Sequence, residues 1–192
     1  MKSSLQKSVY NFSFSESTPK KISSDWYCET RDVFQSRLER MTTEIIRLGV
    51  SEERVYLFSA IAGEIGNNSF DHNAGNWKDL PGVVFAYERN TEGKFCLCIS
   101  DRGRGILETL RRVDKSLSFD RDALEVAFTK KISGRAPENR GNGLKFVKSV
   151  VEEMHISLDF FSGNAWLFLS DTTMRIEERK ERVFGCIALI YE

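Results

Sequence analysis

One stretch limits what this chain can fold into more than any other: Glu64 to Asn73, where a polar row is set into an apolar helical repeat. Val55, Phe58, Ala62 and Ile65 step by three and four, the period of a helix buried along one side. Glu64, Asn68 and His72 keep the same period, four residues apart, and side chains at that spacing share one helix face. A helix with both stripes must bury the first and present the second either to solvent or to a site. Taken alone, such a row more often marks a solvated face. Two further patterns lie downstream: Asp101-Arg102-Gly103-Arg104-Gly105 directly after a strand-like run, and Gly141-Asn142-Gly143-Leu144 directly before a helix-like run.

Upstream, Tyr10 to Phe14 alternates aromatic and polar residues, which predicts a short first strand with an exit loop over Glu16 to Ile22. Phe34, Leu38, Met41, Ile45 and Leu48 predict a helix closed by Gly49. Ser51, followed by Glu52 and Glu53, predicts the N-cap of the helix that carries Glu64. Val83 to Glu88 and Phe95 to Ser100 predict a hairpin joined by Arg89 to Gly93. Residues 102–140 are mostly polar, with a helix predicted near Arg121 to Lys131 and a basic-leaning loop over Ser133 to Arg140; a long irregular insertion in a compact domain is commonly functional or disordered. Leu144 to Met154 returns to helical spacing. Three strands are predicted at Ile156 to Phe161, Ala165 to Ser170 and Val183 to Tyr191, with a charged loop over Asp171 to Arg182. This order lacks the regular alternation of a doubly wound sheet. It predicts an α+β two-layer sandwich, a mixed and mostly antiparallel sheet with helices on one face.

At 192 residues and 41% hydrophobic content, one domain spanning 1–192 is expected. Lys plus Arg equals Asp plus Glu at 28 each, so the overall balance carries no footprint for nucleic acid or an acidic membrane. No apolar run approaches the roughly 20 residues of a membrane helix, and the polar start at Met1 lacks a secretory apolar core; a cytoplasmic protein is expected. Cys28, Cys96, Cys98 and Cys186 include no C-x-x-C pair, which argues against zinc and disulfide frameworks. Cys96 and Cys98 are expected on one face of a strand as small core residues.

Each motif has a plain reading and a chemical one. Asp101 emerges where the chain leaves a strand, and a carboxylate buried there wants a donor; Gly103 and Gly105 let the backbone turn sharply and approach a flat ligand. By itself this is as well an Asp-Gly turn. Gly141 and Gly143 precede a helix N-terminus, whose free N–H groups favour an anion such as phosphate. The phosphate-loop pattern G-x-x-x-x-G-K-[ST] is absent, and neither glycine pair has the third glycine of a dinucleotide fingerprint, because Glu108 and Phe146 stand there. The glycine-rich loop of protein kinases also lacks its partners in order.

In combination, E-x-x-x-N-x-x-x-H on a helix, D-x-G-x-G after a strand and G-x-G-L before a helix resemble the three nucleotide boxes of the ATPase superfamily of gyrase, heat-shock chaperone, histidine kinase and mismatch-repair proteins. Order and spacing match across nearly the whole chain. The lead-in helix ending at Arg47 to Arg54, running straight into the Glu64 helix, is similar to the stand-alone anti-sigma serine kinases of bacteria. The resemblance implies a Bergerat-type fold that binds ATP and Mg2+. It implies that Asp101 accepts a hydrogen bond from the adenine amino group, with Gly103, Gly105 and Ile106 shaping the purine pocket. Asn68 would hold the magnesium, with His72 in the same nucleotide box, and Glu64 would be the general base. Arg140, Gly141, Asn142, Gly143, Leu144 and Lys145 would cap the phosphates, with Ser133 to Arg140 as lid inside a lid region of 106–140; Arg135 would be a further phosphate contact. A regulatory protein partner of the sigma or anti-anti-sigma kind is implied, and a homodimer is compatible with it.

Three positions depart from that pattern. Gly185-Cys186 stands where Gly-Thr is common, Asp71 where a basic residue is frequent in histidine kinases, and Lys145 where a third glycine is common. Phosphoryl transfer to a serine or threonine of a partner is the leading reaction. The catalytic domain of a histidine kinase system is one rival; only His72 and His155 are present, and neither lies on a phosphoacceptor hairpin. A binding module that uses ATP to set conformation without turnover is the other.

Overall fold

The computed structural model describes residues 4–19, 23–90, 92–130 and 143–192. In chain order it contains α1 (Ser4–Phe14), β1 (Tyr27–Cys28), α2 (Arg31–Arg47), α3 (Glu52–Asn73), β2 (Val83–Arg89) and β3 (Phe95–Asp101). There follow α4 (Gly105–Leu110), α5 (Asp120–Thr129), α6 (Gly143–Glu153), β4 (Ser157–Leu169) and β5 (Met174–Tyr191). The strands form one sheet in the order β1-β2-β3-β5-β4, and every pairing is antiparallel. The α+β class therefore stands, and the expected mixed sheet is corrected to an antiparallel one.

Helices lie on both faces, which corrects the expected two-layer sandwich with helices on one face. On one, Phe34, Met41, Ile61, Ile65, Leu124, Phe128 and Val151 pack with Phe85, Leu97, Ile99, Phe160 and Ile190 of the sheet. On the other, Leu5, Val9 and Phe12 of α1 pack with Val84, Ala86, Cys98, Ile187 and Leu189. Alternate residues of one strand thus enter opposite cores, as the period-two geometry of a strand requires. This explains why Val83-Val84-Phe85-Ala86 and Ile187-Ala188-Leu189-Ile190 are apolar throughout: both of their faces are covered.

The first strand expected at Tyr10 to Phe14 is instead the end of α1. Five alternating residues fit a strand, but Leu5, Val9 and Phe12 step by four and three and are all buried, and burial against the sheet decides between the two periods. The charged loop expected over Asp171 to Arg182 is also corrected. Residues 174–178 pair with 165–169 as the distal part of one long β4–β5 hairpin, whose turn is closed by Ser170 N–H donating to Thr173 O at 2.8 Å. Its apolar residues Met174 and Ile176 pack on the core, while Arg175 lies over the Trp166 ring at 5.0 Å. A strand with one solvated face reads as charged and loop-like in sequence. Of the expected lid region, α4 and α5 form ordered helices with Ala123, Leu124 and Phe128 buried, whereas Ser133 to Arg140 lies outside the described residues.

The two strands expected at Ile156 to Phe161 and Ala165 to Ser170 are corrected to the single β4, and β1 and α4 had no signal in the sequence, whereas α2, α3, β2, β3 and α6 match theirs. Thr30 caps α2 by accepting from Val33 N–H at 3.4 Å, and Gly49 follows with a positive φ of 86°. Ser51 occupies the N-cap of α3 without a side-chain capping bond. Among the described residues no helix is long and apolar enough to cross a membrane.

Candidate functional site

The site grows from α3. Glu64 and Asn68 sit one turn apart, and Asn68 Nδ2 donates to Glu64 Oε1 at 3.0 Å. His72 continues the row and lines a pocket together with Asn68. The Glu64 carboxylate lies against the start of α6, where a Cβ on Gly143 would overlap it. A side chain at Gly143 would push the Glu64 carboxylate aside, and the N-terminal turn that opens there carries partial positive charge facing it. Asp71 turns away toward α2 and forms an ion pair with Arg31.

Asp101 ends β3 with only 2% of its surface exposed. Ser69 Oγ donates to its Oδ2 at 2.7 Å, while Gly103 N–H and Asn73 Nδ2 donate to Oδ1 at 2.8 and 3.2 Å. The Cys186 N–H is a fourth donor. Four donors match the full acceptor capacity of a carboxylate, so an amino group of a ligand is accepted by sharing or displacing one of them. Burial pushes the carboxyl up to about 6, against the downward pull of those four donors.

Glycines let the backbone close around this carboxylate. Gly185, with φ 75°, would carry a Cβ into Asp101, and a Cβ on Gly103 would overlap the Asn73 carboxamide. Gly105, with φ 77°, faces Ser162 Oγ, which also accepts the Ile106 N–H at 2.9 Å. Ser162 pairs with Cys186 across β4 and β5 and contacts its thiol. Burial, then the Asp101 charge, push that thiol well above its ordinary range, so it remains neutral. A hydroxyl from the neighbouring strand thus stands beside the position where the resemblance leads one to expect threonine.

The resulting pocket, about 380 Å³ counted out to its open mouth, is lined by Asn68 and His72 of the first motif, Asp101, Gly105 and Ile106 of the second, and Leu144 of the third, with Ile65, Thr109, Phe160 and Cys186 among the remaining walls. Apolar walls with a few polar groups suit small-molecule sites. Three stretches spread over some eighty residues of sequence thereby share one cavity. Glu64, Gly103 and Gly143 stand just outside the lining, each in contact with it through a neighbour. Lys145 is half-buried in the first turn of α6. Arg135, Arg140, Gly141 and Asn142 lie outside the described residues.

Sequence reasoning missed Ser69, Asn73 and Ser162. Ser69 and Asn73 did carry a signal, a second four-residue step with Ile65, one position beyond the Glu64 row. Ser162 had none, since it acts across a strand pairing. No protein-family model matches this chain, and a search of curated proteins finds no match.

Proposed function

We propose that this pocket binds an adenine nucleotide with Mg2+ in a Bergerat-type arrangement, and that the chain is a regulatory protein kinase transferring the terminal phosphoryl group to a serine or threonine of a partner protein. The observation that carries the reading is the convergence of three separated motifs on one cavity: a buried carboxylate with no counter-ion among the described residues at one end and a carboxylate–amide pair beside a helix N-terminus at the other. Asp101 would read the base. The Asn68 amide spends its NH2 on Glu64, which leaves its carbonyl oxygen, a hard ligand of the kind magnesium takes alongside phosphate oxygens. Among the described residues no three His, Cys, Asp or Glu side chains are grouped to hold a metal, so the nucleotide's own phosphates would supply most of the coordination. The metal would screen phosphate charge. Glu64, one turn from Asn68, is within reach to orient and deprotonate an attacking hydroxyl.

The test separates binding from chemistry. Glu64→Ala should leave ATP affinity nearly intact and lower single-turnover consumption with the partner by about a hundredfold or more, whereas Asn68→Ala should weaken magnesium-dependent binding itself. Parent protein that binds ATP but shows neither hydrolysis nor transfer to any co-purifying protein would replace the kinase reading with an ATP-dependent conformational switch.

A further inference from the structure

The polar row of Glu64, Asn68 and His72 is one of two on α3. One position further round the helix, Ser69 and Asn73 form another, in line with the apolar Ile65, and all three line the pocket. Ser69 and Asn73 are buried, at 6% and 4% exposure, and grip opposite oxygens of the same carboxylate. The orientation of Asn73 is fixed by its neighbours, because its Oδ1 accepts the Arg104 N–H at 2.9 Å and its NH2 is left for Asp101. We propose that Ser69 and Asn73 set the base selectivity of the pocket, by holding Asp101 as a hydrogen-bond acceptor that takes a 6-amino purine and turns away a 6-oxo purine. This rests on the adenine-nucleotide reading above.

The need for such residues follows from the surroundings of Asp101. Ile65, Ile106 and Phe160 give the pocket apolar walls, and a carboxyl group in such walls tends to hold its proton. Protonated, it becomes a donor, and a 6-oxo group would then be welcome. The arginines next in sequence do not oppose this: Arg102 turns to Asp79, and Arg104 to Asn76 and Glu108. From β5 the facing titratable group is the neutral Cys186 thiol, and from α3 it is His72 on the same wall. The ionised state of Asp101 therefore depends on hydrogen-bond donors. Gly103 and Cys186 supply theirs from the backbone; among the described residues Ser69 and Asn73 are the side-chain donors, which a different sequence would lack.

The experiment uses the full chain as parent, Ser69→Ala, Ser69→Thr and Asn73→Ala. Affinities for Mg-ATP and Mg-ITP are measured by calorimetry from pH 5 to 8.5, and the Asp101 carboxyl is titrated by carbon NMR without nucleotide, which separates it from His72. In the parent, the ATP preference over ITP should disappear as pH falls through about 6. Ser69→Ala should raise the carboxyl midpoint by roughly one pH unit, the scale of one hydrogen bond to a charged group, and the pH at which the preference disappears should move with it. Asn73→Ala, losing the longer bond, should move both by less, and Ser69→Thr should restore parent behaviour. A midpoint unmoved in both alanine variants, or one that moves while the ATP-to-ITP profile stays put, overturns the proposal. A parent that binds neither nucleotide overturns the adenine reading and the selectivity role with it, and the nucleotide-free titration tells that result from a failure of the pair alone.

Discussion

Asp101 and Arg102 are neighbours in the chain, and both are buried, at 2% and 0% exposure, yet they live in opposite electrostatic worlds. The alternation of a strand sends Asp101 toward α3 and Arg102 toward α1. Arg102 meets a carboxylate: its Nε and Nη2 donate to the two oxygens of Asp79 at 2.7 and 2.8 Å, and its Nη1 donates to Phe12 O and, at 3.0 Å, to Ser15 O at the end of α1. Its hydrogen bonds hold the Asp79 carboxyl below the usual carboxylate range. Among the described residues Asp101 meets donors but no counter-ion, and burial pushes it the other way. The comparison separates two uses of a buried charge. The neutralised one ties α1 and the 74–82 connection to the sheet end; the other, held by donors alone among the described residues, is a perturbed group in a cleft, the kind that makes a functional-site candidate.

The largest expected effect is on the structural side. Arg102→Ala should cost about 3–5 kcal/mol of stability, the usual result of stripping one partner from a buried ion pair, measured by urea denaturation. A loss below about 1 kcal/mol would break the comparison, since Arg102 would then be no more than a surface pair.

Acid titration should show the two carboxylates pulling in opposite directions. The folded-state value of Asp101 is raised, so its contribution to stability is full below the unfolded value near 3.8 and is lost as pH rises through about 6, a change of at most about 3 kcal/mol. That of Asp79 is depressed, so its contribution is full above the ordinary carboxylate range and is lost as pH falls through the lowered value. Stability of the nucleotide-free parent relative to Asp101→Asn should therefore rise as pH falls from 6 toward 4, while ATP affinity, which needs the ionised acceptor, falls over the same interval. Parallel changes in both would contradict the assignment.

The smallest effect sharpens the functional side. Asp101→Asn should weaken ATP binding by about ten- to a hundredfold, the equivalent of one charge-assisted hydrogen bond of about 1.5–3 kcal/mol. Parent protein with equal affinity for ATP and GTP in calorimetry above pH 7, where the Asp101 carboxyl is ionised, would show that Asp101 does not read the base.

Local signals were enough for much of this. The α2 and α3 helices, the β2–β3 hairpin, α5 and α6 all follow from apolar period, caps and glycines that operate within a few residues, and the polar row on α3 is a consequence of helix geometry alone. Where two periods fitted, the sequence left the choice to packing: Tyr10 to Phe14 became helix because Leu5, Val9 and Phe12 bury together on the second face of the sheet, and the charged run after Asp171 became strand because Leu167 and Leu169 across the hairpin offered it partners. The same division holds at the site. Glu64, Asn68 and Asp101 could be singled out from residue type and spacing. That Gly143 lies against Glu64, that Gly185 must clear Asp101, and that Ser69, Asn73, Ser162 and Cys186 complete the pocket walls and hydrogen bonds was decided by tertiary structure, because those contacts join residues roughly thirty to eighty positions apart or more, and no helical or strand period reaches that far.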